Sequence, residues 1–532
     1  MTLAVLTASE MKQVETWTRE KCGISESNMI AQAGQAVFNT ARSLHSSYAR
    51  PGSRPWVFVC GKGHNGADGI QAALLARSRG FKVKVFQLFS EKGYSPETRL
   101  LHDKIKRAKL KIQPVKKAED LQFPQNTALV IDGLLGAGIT REAAGITADC
   151  IRLINQSTLP VLSIDIPSGL FTDESEVGLH VHAMATMSLG TLKLSAIFYP
   201  SCQRFGSIYF DSLCFPESQL RLQPSRTELF RKEDAYEVYP ERAYDAHKYS
   251  TGKVLIIAGS KGMHGAAVLS AHAALKAGAG MVKLAVPSGL HNEICHHTVE
   301  IISLPIGKRK TSSGKTGEDA PHFSQSHVKE LLPLIEWADA VLLGPGLGKH
   351  ADTIKFLLKL VPEISTRLVV DGDGLQFFCP AANKGIGRAS SSFKQVIATP
   401  HAGEFKRMGG TYRYDSPLQH LQHAKSISKK YGLNVLLKGP TSIITSHDGT
   451  STILPSGNPG LATAGSGDVL AGIITALLCL LDPVPASGLG VYIHSASADL
   501  ARHQTGILGM TASDVLNHIP AVIREIEDEK AN

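Results

Sequence analysis

Short runs of four to six apolar residues alternate along this chain with glycine-rich turns and longer amphipathic stretches, the pattern of parallel-sheet α/β domains. In the first part, strands are predicted over 56–60, 82–86, 128–132, 160–165 and 207–211, and a helix over 70–79 follows a glycine turn. Between about 217 and 248 the periodicity lapses and charges, prolines and tyrosines take over. It then restarts, with strands over 253–258, 281–286, 340–343, 367–370, 395–398 and 434–437, and a helix over 266–278. Two α/β domains are therefore expected, over 1–220 and 246–528, joined by a link over 221–245. The stretch 308–326 is polar and rich in Gly and Ser and reads as a mobile surface loop.

The apolar run from Val469 to Leu481 falls short of the roughly 20 residues of a membrane span and reads as a buried helix. Glu10 and Lys12 end the mildly apolar start too early for a signal peptide. Eight cysteines without a C-x-x-C pair argue against a zinc site or disulfide framework and for a reducing cytoplasm. The net charge of +9 is scattered, its densest group being Lys308-Arg309-Lys310; with no aromatic interleaving it gives no nucleic-acid motif. The expected partners are thus small molecules, with neither nucleic acid nor membrane, and a homo-oligomer is left open.

Candidate chemistry gathers at the ends of the strands, where open α/β sheets bind ligands. Gly61-Lys-Gly-His-Asn-Gly-Ala-Asp-Gly69 follows the first strand, and its backbone N–H groups could receive phosphate. Asp132 and Asp165 each end a later strand, and Ser168 follows the second of them. Asn65, Asp132 and Ser168 together could hold a hard cation. In the second part, Gly457-Asn-Pro-Gly-Leu-Ala-Thr-Ala-Gly-Ser-Gly-Asp468 runs straight into the apolar helix. Its amides at 464–467 can hold a transferring phosphoryl group, and the adjacent Asp468 can take a proton from an attacking hydroxyl. His401, the loop at 344–348 and Lys438-Gly-Pro-Thr-Ser442 sit at other strand ends.

Residues 1 to about 216 resemble the NAD(P)H-hydrate epimerase family through 61–69, 132–138 with Arg141, Asp165-Ile-Pro-Ser-Gly169 and Ala185-Thr-Met-Ser-Leu-Gly-Thr-Leu-Lys193. The resemblance implies a Rossmann-like three-layer α/β domain. It also implies that His64, Asn65, Gly66, Ala67 and Asp68, the loop of Gly136, Ala137, Gly138, Ile139, Thr140, Arg141 and Glu142, and Asp165 contact the hydrated nucleotide. Potassium would be held by Asn65, Asp132 and Ser168, with Asp165 and Lys193 catalytic beside the epimerising carbon. The family's usual Asn-Asn-Gly-Gly-Asp is here His64-Asn-Gly-Ala-Asp68, and its Glu-Asn-Ala-Gly is Ala31-Gln-Ala-Gly34.

Residues 246 to 520 resemble the NAD(P)H-hydrate dehydratase family, of ribokinase-like fold, through seven ordered blocks. These are 252–266, 344–348, Asp371-Gly-Asp373, 399–404, 438–440, 465–468 and 509–514. The resemblance implies that Ala266, Gly346, His401 and the catalytic Asp468 contact the hydrate. Lys438, Gly439, Pro440, Thr441, Ser442 and Gly467 would contact the nucleotide, expected to be ADP with Mg2+. Together the halves imply a metabolite-repair enzyme, isomerase and lyase in one chain. The rival reading is an ATP-dependent small-molecule kinase of the same fold carrying a non-catalytic N-terminal binding module. Such kinases usually carry Gly-Ala-Gly-Asp, where Ser466 here replaces the Ala.

Overall fold

The computed structural model describes residues 3–48, 54–88, 96–307, 321–382, 393–413 and 416–531. The basic group 308–310, and most of the loop expected at 308–326, lie outside them. The chain divides into two compact units, one carrying Leu3–Thr227 and the other Glu228–Tyr412 and Gln419–Asn532.

After a short strand β1 (Leu3–Ala4), the first unit builds a seven-stranded sheet. Its strands are β2 (Trp56–Cys60), β3 (Val83–Gln87), β4 (Ile112–Pro114), β5 (Leu129–Gly133), β6 (Val161–Ile164), β7 (Ala185–Leu189) and β8 (Ser207–Asp211). They lie in the order β4-β3-β2-β5-β6-β7-β8, every pair parallel. β2 and β5 are buried throughout, as strands covered by helices on both faces must be. The chain runs outward from β2 through β3 to β4, then returns to β5 and proceeds the other way. The carboxyl ends of β2 and β5 therefore flank the topological switch point, where a crevice opens.

The helix predicted over 70–79 begins earlier, at His64, and runs to Ser78. The glycines are what allow it. A Cβ at Gly66 would lie 2.1 Å from the Gly61 carbonyl oxygen, and one at Gly69 would lie 3.0 Å from Cys60 Sγ. The glycine turn is thus largely a helical first turn pressed against its own strand.

The second unit repeats the logic. Its strands are β9 (Thr227–Leu229), β10 (Lys253–Ile257), β11 (Met281–Pro287), β12 (Ile302–Ile306), β13 (Ala340–Leu343), β14 (Arg367–Val370), β15 (Val396–Ala398), β16 (Asn434–Leu437), β17 (Thr441–Thr445) and β18 (Ser451–Pro455). They follow the order β9-β18-β17-β16-β15-β14-β13-β10-β11-β12. The run from β16 to β12 is parallel, while β16, β17 and β18 are antiparallel neighbours. The switch point falls between β10 and β13.

The stretch expected as a plain link at 221–245 contains β9 and a helix, Lys232–Val238. Phe230 and Ala235 are buried in the second unit's core. Phe230 fills the space where a Cβ on Gly488 would come within 2.6 Å of its ring. Apolar residues spaced among charges, without a full period, hid this segment.

The apolar helix runs over Ser466–Leu478, three residues ahead of its predicted start, and is buried from Val469 onward. It crosses the helix His264–Lys276 at Gly472, where a Cβ would sit 2.2 Å from the Ser270 carbonyl oxygen. Among the described residues no helix is long and apolar enough to cross a membrane.

Candidate active sites

At the first switch point Asp132, the last residue but one of β5, is fully buried. One carboxylate oxygen accepts from Ser168 Oγ (2.6 Å) and Leu134 N (3.2 Å). The other accepts from Ser163 Oγ (2.8 Å) and Ser168 N (3.0 Å). Burial nonetheless holds its pKa above the usual carboxylate range. Asn65, in the first turn of the helix after β2, donates to the carbonyls of Leu135 (2.7 Å) and Ile164 (3.0 Å). The three residues expected to hold a cation therefore lie close together, Asp132 and Ser168 offering oxygen and Asn65 its Nδ2.

Asp165 stands just past β6 with φ +64, a left-handed conformation that Asp tolerates better than most side chains. Lys193 is 3% exposed and donates to the Asp165 carboxylate, to Leu189 O (2.6 Å) and to Thr191 O (3.0 Å). Leu189 N also donates to Asp165 Oδ1 (3.2 Å). An ammonium drawn into protein by two carbonyls and one carboxylate is fixed in place, and its partner carboxylate is fixed with it.

Two further acids, Asp68 and Glu15, have raised pKa values, chiefly through burial, and Asp165 pushes both the same way. Glu15, on the helix Ala8–Cys22, carried no motif and was missed by sequence reasoning. The loop 136–142 starts against Asn65, whose Cβ would meet a Gly136 Cβ at 3.2 Å. Its middle is held by Thr172 Oγ1 donating to Ala137 O (2.6 Å).

At the second switch point Gly346 (φ +60) passes so close to the next helix that a Cβ would lie 3.2 Å from Ala266 Cβ. Ser260 Oγ ties the same loop through Gly346 O (2.8 Å). Further along the sheet edge, Gly465 (φ +90) caps the helix Ser466–Leu478 and puts Gly467 and half-buried Asp468 in its first turn. Amides there have no intrahelical acceptor and face outward, an anion site by construction.

Burial, with Asp371 adding to it, pushes the Asp468 pKa up to about 7. Lys438 Nζ pairs with Asp371 Oδ1 at 2.6 Å, and a Cβ on Gly467 would lie 3.3 Å from that nitrogen. Gly439 and Pro440 turn the chain into β17, so Thr441 and Ser442 belong to that strand rather than to a loop. His401 caps the helix Ala402–Arg407, its Nδ1 accepting from Gly403 N (2.9 Å). Desolvation and the nearby Lys438 charge lower its pKa, so at neutral pH it is the uncharged imidazole.

Residues 254–521 match the family described as NAD(P)H-hydrate dehydratase, and residues 26–195 match the YjeF-related protein N-terminus. The bifunctional NAD(P)H-hydrate repair enzyme of Thermofilum pendens is 31% identical, across 99% of this chain and 97% of its own. That of Moorella thermoacetica is also 31% identical, with the same coverage. This chain belongs to the bifunctional NAD(P)H-hydrate repair enzymes. Among solved structures, the ADP/ATP-dependent NAD(P)H-hydrate dehydratase of Bacillus subtilis, co-crystallized with ATP and Mg2+, is 25% identical. It covers 56% of this chain and 98% of its own, with a TM-score of 0.46.

In this bifunctional repair enzyme, His64 and Ala67 of the 64–68 segment have different surroundings. His64 is exposed and pairs through Nε2 with Glu26 Oε1 at 2.8 Å. Ala67, expected among the ligand contacts, is fully enclosed in the core and offers no surface to a ligand. Its methyl belongs to the packing of helix on sheet.

Asp468, read from sequence as the acid beside the anion hole, has company. Asp371, Asp373 and Glu404 all bear on it electrostatically. The cluster His322, His350 and Asp352 has metal-ligand chemistry. However, His350 Nδ1 accepts from Asp352 N as a helix cap (3.2 Å), at a helix end whose dipole repels cations.

Gly344 links the two loops of the dehydratase half. Its φ is +133, and a Cβ there would lie 1.8 Å from the Asp371 carbonyl oxygen. Gly344→Ala should therefore cost about 3 kcal/mol or more, read as a lowered melting temperature of the second unit's transition. An unchanged melting temperature would mean that the backbone there is free to move.

Proposed function

We propose that the chain returns hydrated NADH and NADPH to the intact cofactors by two activities. The first unit interconverts the R and S epimers of the hydrate. The second dehydrates the S epimer with ADP, giving AMP and phosphate. The observation that carries this reading is Asp468, a half-buried acid with a pKa of about 7 in the first turn of the helix behind Gly465.

The hydroxyl on the reduced ring is a poor leaving group. Asp468 takes its proton as the oxygen attacks the terminal phosphorus of ADP. AMP departs, and the amides at 465–467 stabilise the charge on the moving phosphoryl group. The phosphate ester then leaves as inorganic phosphate, driven by the ring nitrogen's lone pair; loss of a ring proton restores the dihydropyridine. Ala266, Gly346 and His401 would hold the hydrate, and Lys438, Gly439, Pro440, Thr441, Ser442 and Gly467 the nucleotide, which brings magnesium with it.

In the first unit Asp165, fixed by Lys193, would exchange protons at the epimerising centre. His64, Asn65, Gly66, Asp68 and the loop 136–142 would bind the nucleotide. Asp132, Ser168 and the carbonyls of Leu135 and Ile164 suit a monovalent cation such as potassium, whose single charge matches the one carboxylate. Asn65 would join them by an amide flip, which exchanges its oxygen and nitrogen. A bound cation would supply fixed positive charge beside the loop that holds substrate.

The direct test is to incubate the purified chain with hydrated NADH and either ADP or ATP and follow dihydropyridine absorbance. Recovery with ADP, leaving AMP and phosphate, is expected. A stable phosphorylated product from ATP would instead mark a kinase.

The proton traffic also sets a pH profile. The base must be ionised, so kcat/KM for the hydrate should rise with pH and level off above about 7. About a tenth of the plateau should remain one pH unit below the midpoint. A profile flat from pH 5 to 8 would exclude Asp468 as the base.

A further inference from the structure

Lys438 lies within reach of three acids, Asp371, Glu404 and Asp468, and pairs with Asp371. Its ammonium lies beside the backbone of Gly467, next in sequence to Asp468, yet its ion pair is with Asp371 Oδ1 at 2.6 Å. Among the described residues no ion pair joins it to Asp468. The Asp371 carboxylate is itself anchored, because Thr399 Oγ1 donates to the same oxygen at 2.6 Å. Asp371 is 3% exposed, and the Lys438 side chain 18%. Three strand ends, those of β14, β15 and β16, thus build one buried linkage alongside the base.

We propose that Asp371 is a positioning residue for the dehydration: it holds the Lys438 ammonium off Asp468, leaving that carboxylate free to accept the hydroxyl proton. This rests on the reading of Asp468 as the base. A buried ammonium that loses its anion must find another, and Glu404 and Asp468 are both within its electrostatic reach; Glu404 Oε2 is already held by the His401 N–H (2.9 Å), whereas Asp468 stands beside Gly467. Paired to Lys438, Asp468 would be stabilised as the anion and would become a weaker base. The other groups facing Asp468 are Glu404 and Asp373. His401, and His494 of the helix Pro483–Thr505, lie near Lys438, and both have lowered pKa values. Neither can replace Asp371 as a counter-charge to the lysine. The arrangement also leaves the ammonium at the phosphoryl site, where the donor's phosphates would meet it.

The test is the pH dependence of kcat/KM for the hydrate, at saturating nucleotide, in three variants of the full chain. Asp371→Asn should move the acid limb down by a pH unit or more and lower the plateau about tenfold, the Brønsted consequence of a weaker base. Lys438→Met, which removes the positive neighbour, should move the limb up. Thr399→Val keeps every charge but loosens the anchor, and should shift the limb down by a smaller amount. If Asp371→Asn fails to fold, the opposite shifts of the other two decide the matter. Limbs that stay together, or move the same way in all variants, overturn the proposal. Asp468→Asn separates this from the underlying reading. If that variant turns over normally, the base assignment itself falls. If it is inactive while the other limbs stay unmoved, only the role of Asp371 falls.

Discussion

Asp468→Asn should lower dehydration of the S hydrate by roughly 10²–10⁴-fold, the usual contribution of a positioned base. The amide matches the carboxylate in shape, so the helix Ser466–Leu478 and its exposed first-turn amides should persist. The loss should therefore appear in kcat. Nucleotide affinity, measured by calorimetry, should change only a few-fold, because nucleotide contact is assigned to Gly467 and the 438–442 segment. Removing the carboxylate also removes a half-buried acid whose pKa is pushed up to about 7. The variant should melt no lower than the parent at pH 7. Near-normal turnover would leave the anion hole without a base and sink the assignment.

Asp165→Asn should abolish epimerisation to a similar degree, roughly 10²–10⁴-fold, without touching dehydration of the epimer that the second unit accepts. Asparagine tolerates the left-handed backbone that Asp165 adopts, whereas alanine would add strain and confuse the result. The substitution leaves Lys193 buried, with the carbonyls of Leu189 and Thr191 but no carboxylate. Some loss of stability in the first unit is accordingly expected. Because the two sites stand in separately packed units, their effects should add nearly independently. Proton exchange at the hydrate carbon and NADH recovery, measured on the same preparation, distinguish the two activities. Loss of both would mean that the division of labour is misread.

The parallel strands were legible because a strand buried on both faces is a continuous apolar run, as 56–60 and 340–343 are. The partly exposed edge strands β4 and β12 were not, nor were β7, β17 and β18. The Thr and Ser side chains of these last three, buried here, read as surface until their hydroxyls are given partners, as Thr186 Oγ1 is by Phe205 O (2.7 Å). Helix starts were set too late at 70 and 469, since glycine signals a turn in sequence and close packing in space. Strand-end position brought Asn65, Asp132 and Ser168 into view, and the glycine-rich lead into an apolar helix did the same for Asp468. Asp371 and Lys438 were visible one by one, but their pairing spans 67 positions and belongs to the sheet, not to any motif. Glu15 lies on a helix whose pattern is ordinary, and only the fold brings its charge to Asp165.

The contact between Gly472 and Ser270 bears on how this enzyme could change over evolutionary time. The two helices that carry Asp468 and Ala266 meet there almost backbone to backbone, with only the Ala273 methyl alongside. Any enlargement at the crossing would displace the reacting ends together with the core, so drift is blocked at that point. Diversification toward other phosphoryl acceptors would have to arise in the strand-end loops, around 344–348 and 438–440, rather than at the crossing. In lineages with altered substrates, the scaffold that aims the proton transfer should stay fixed while the walls of the crevice vary.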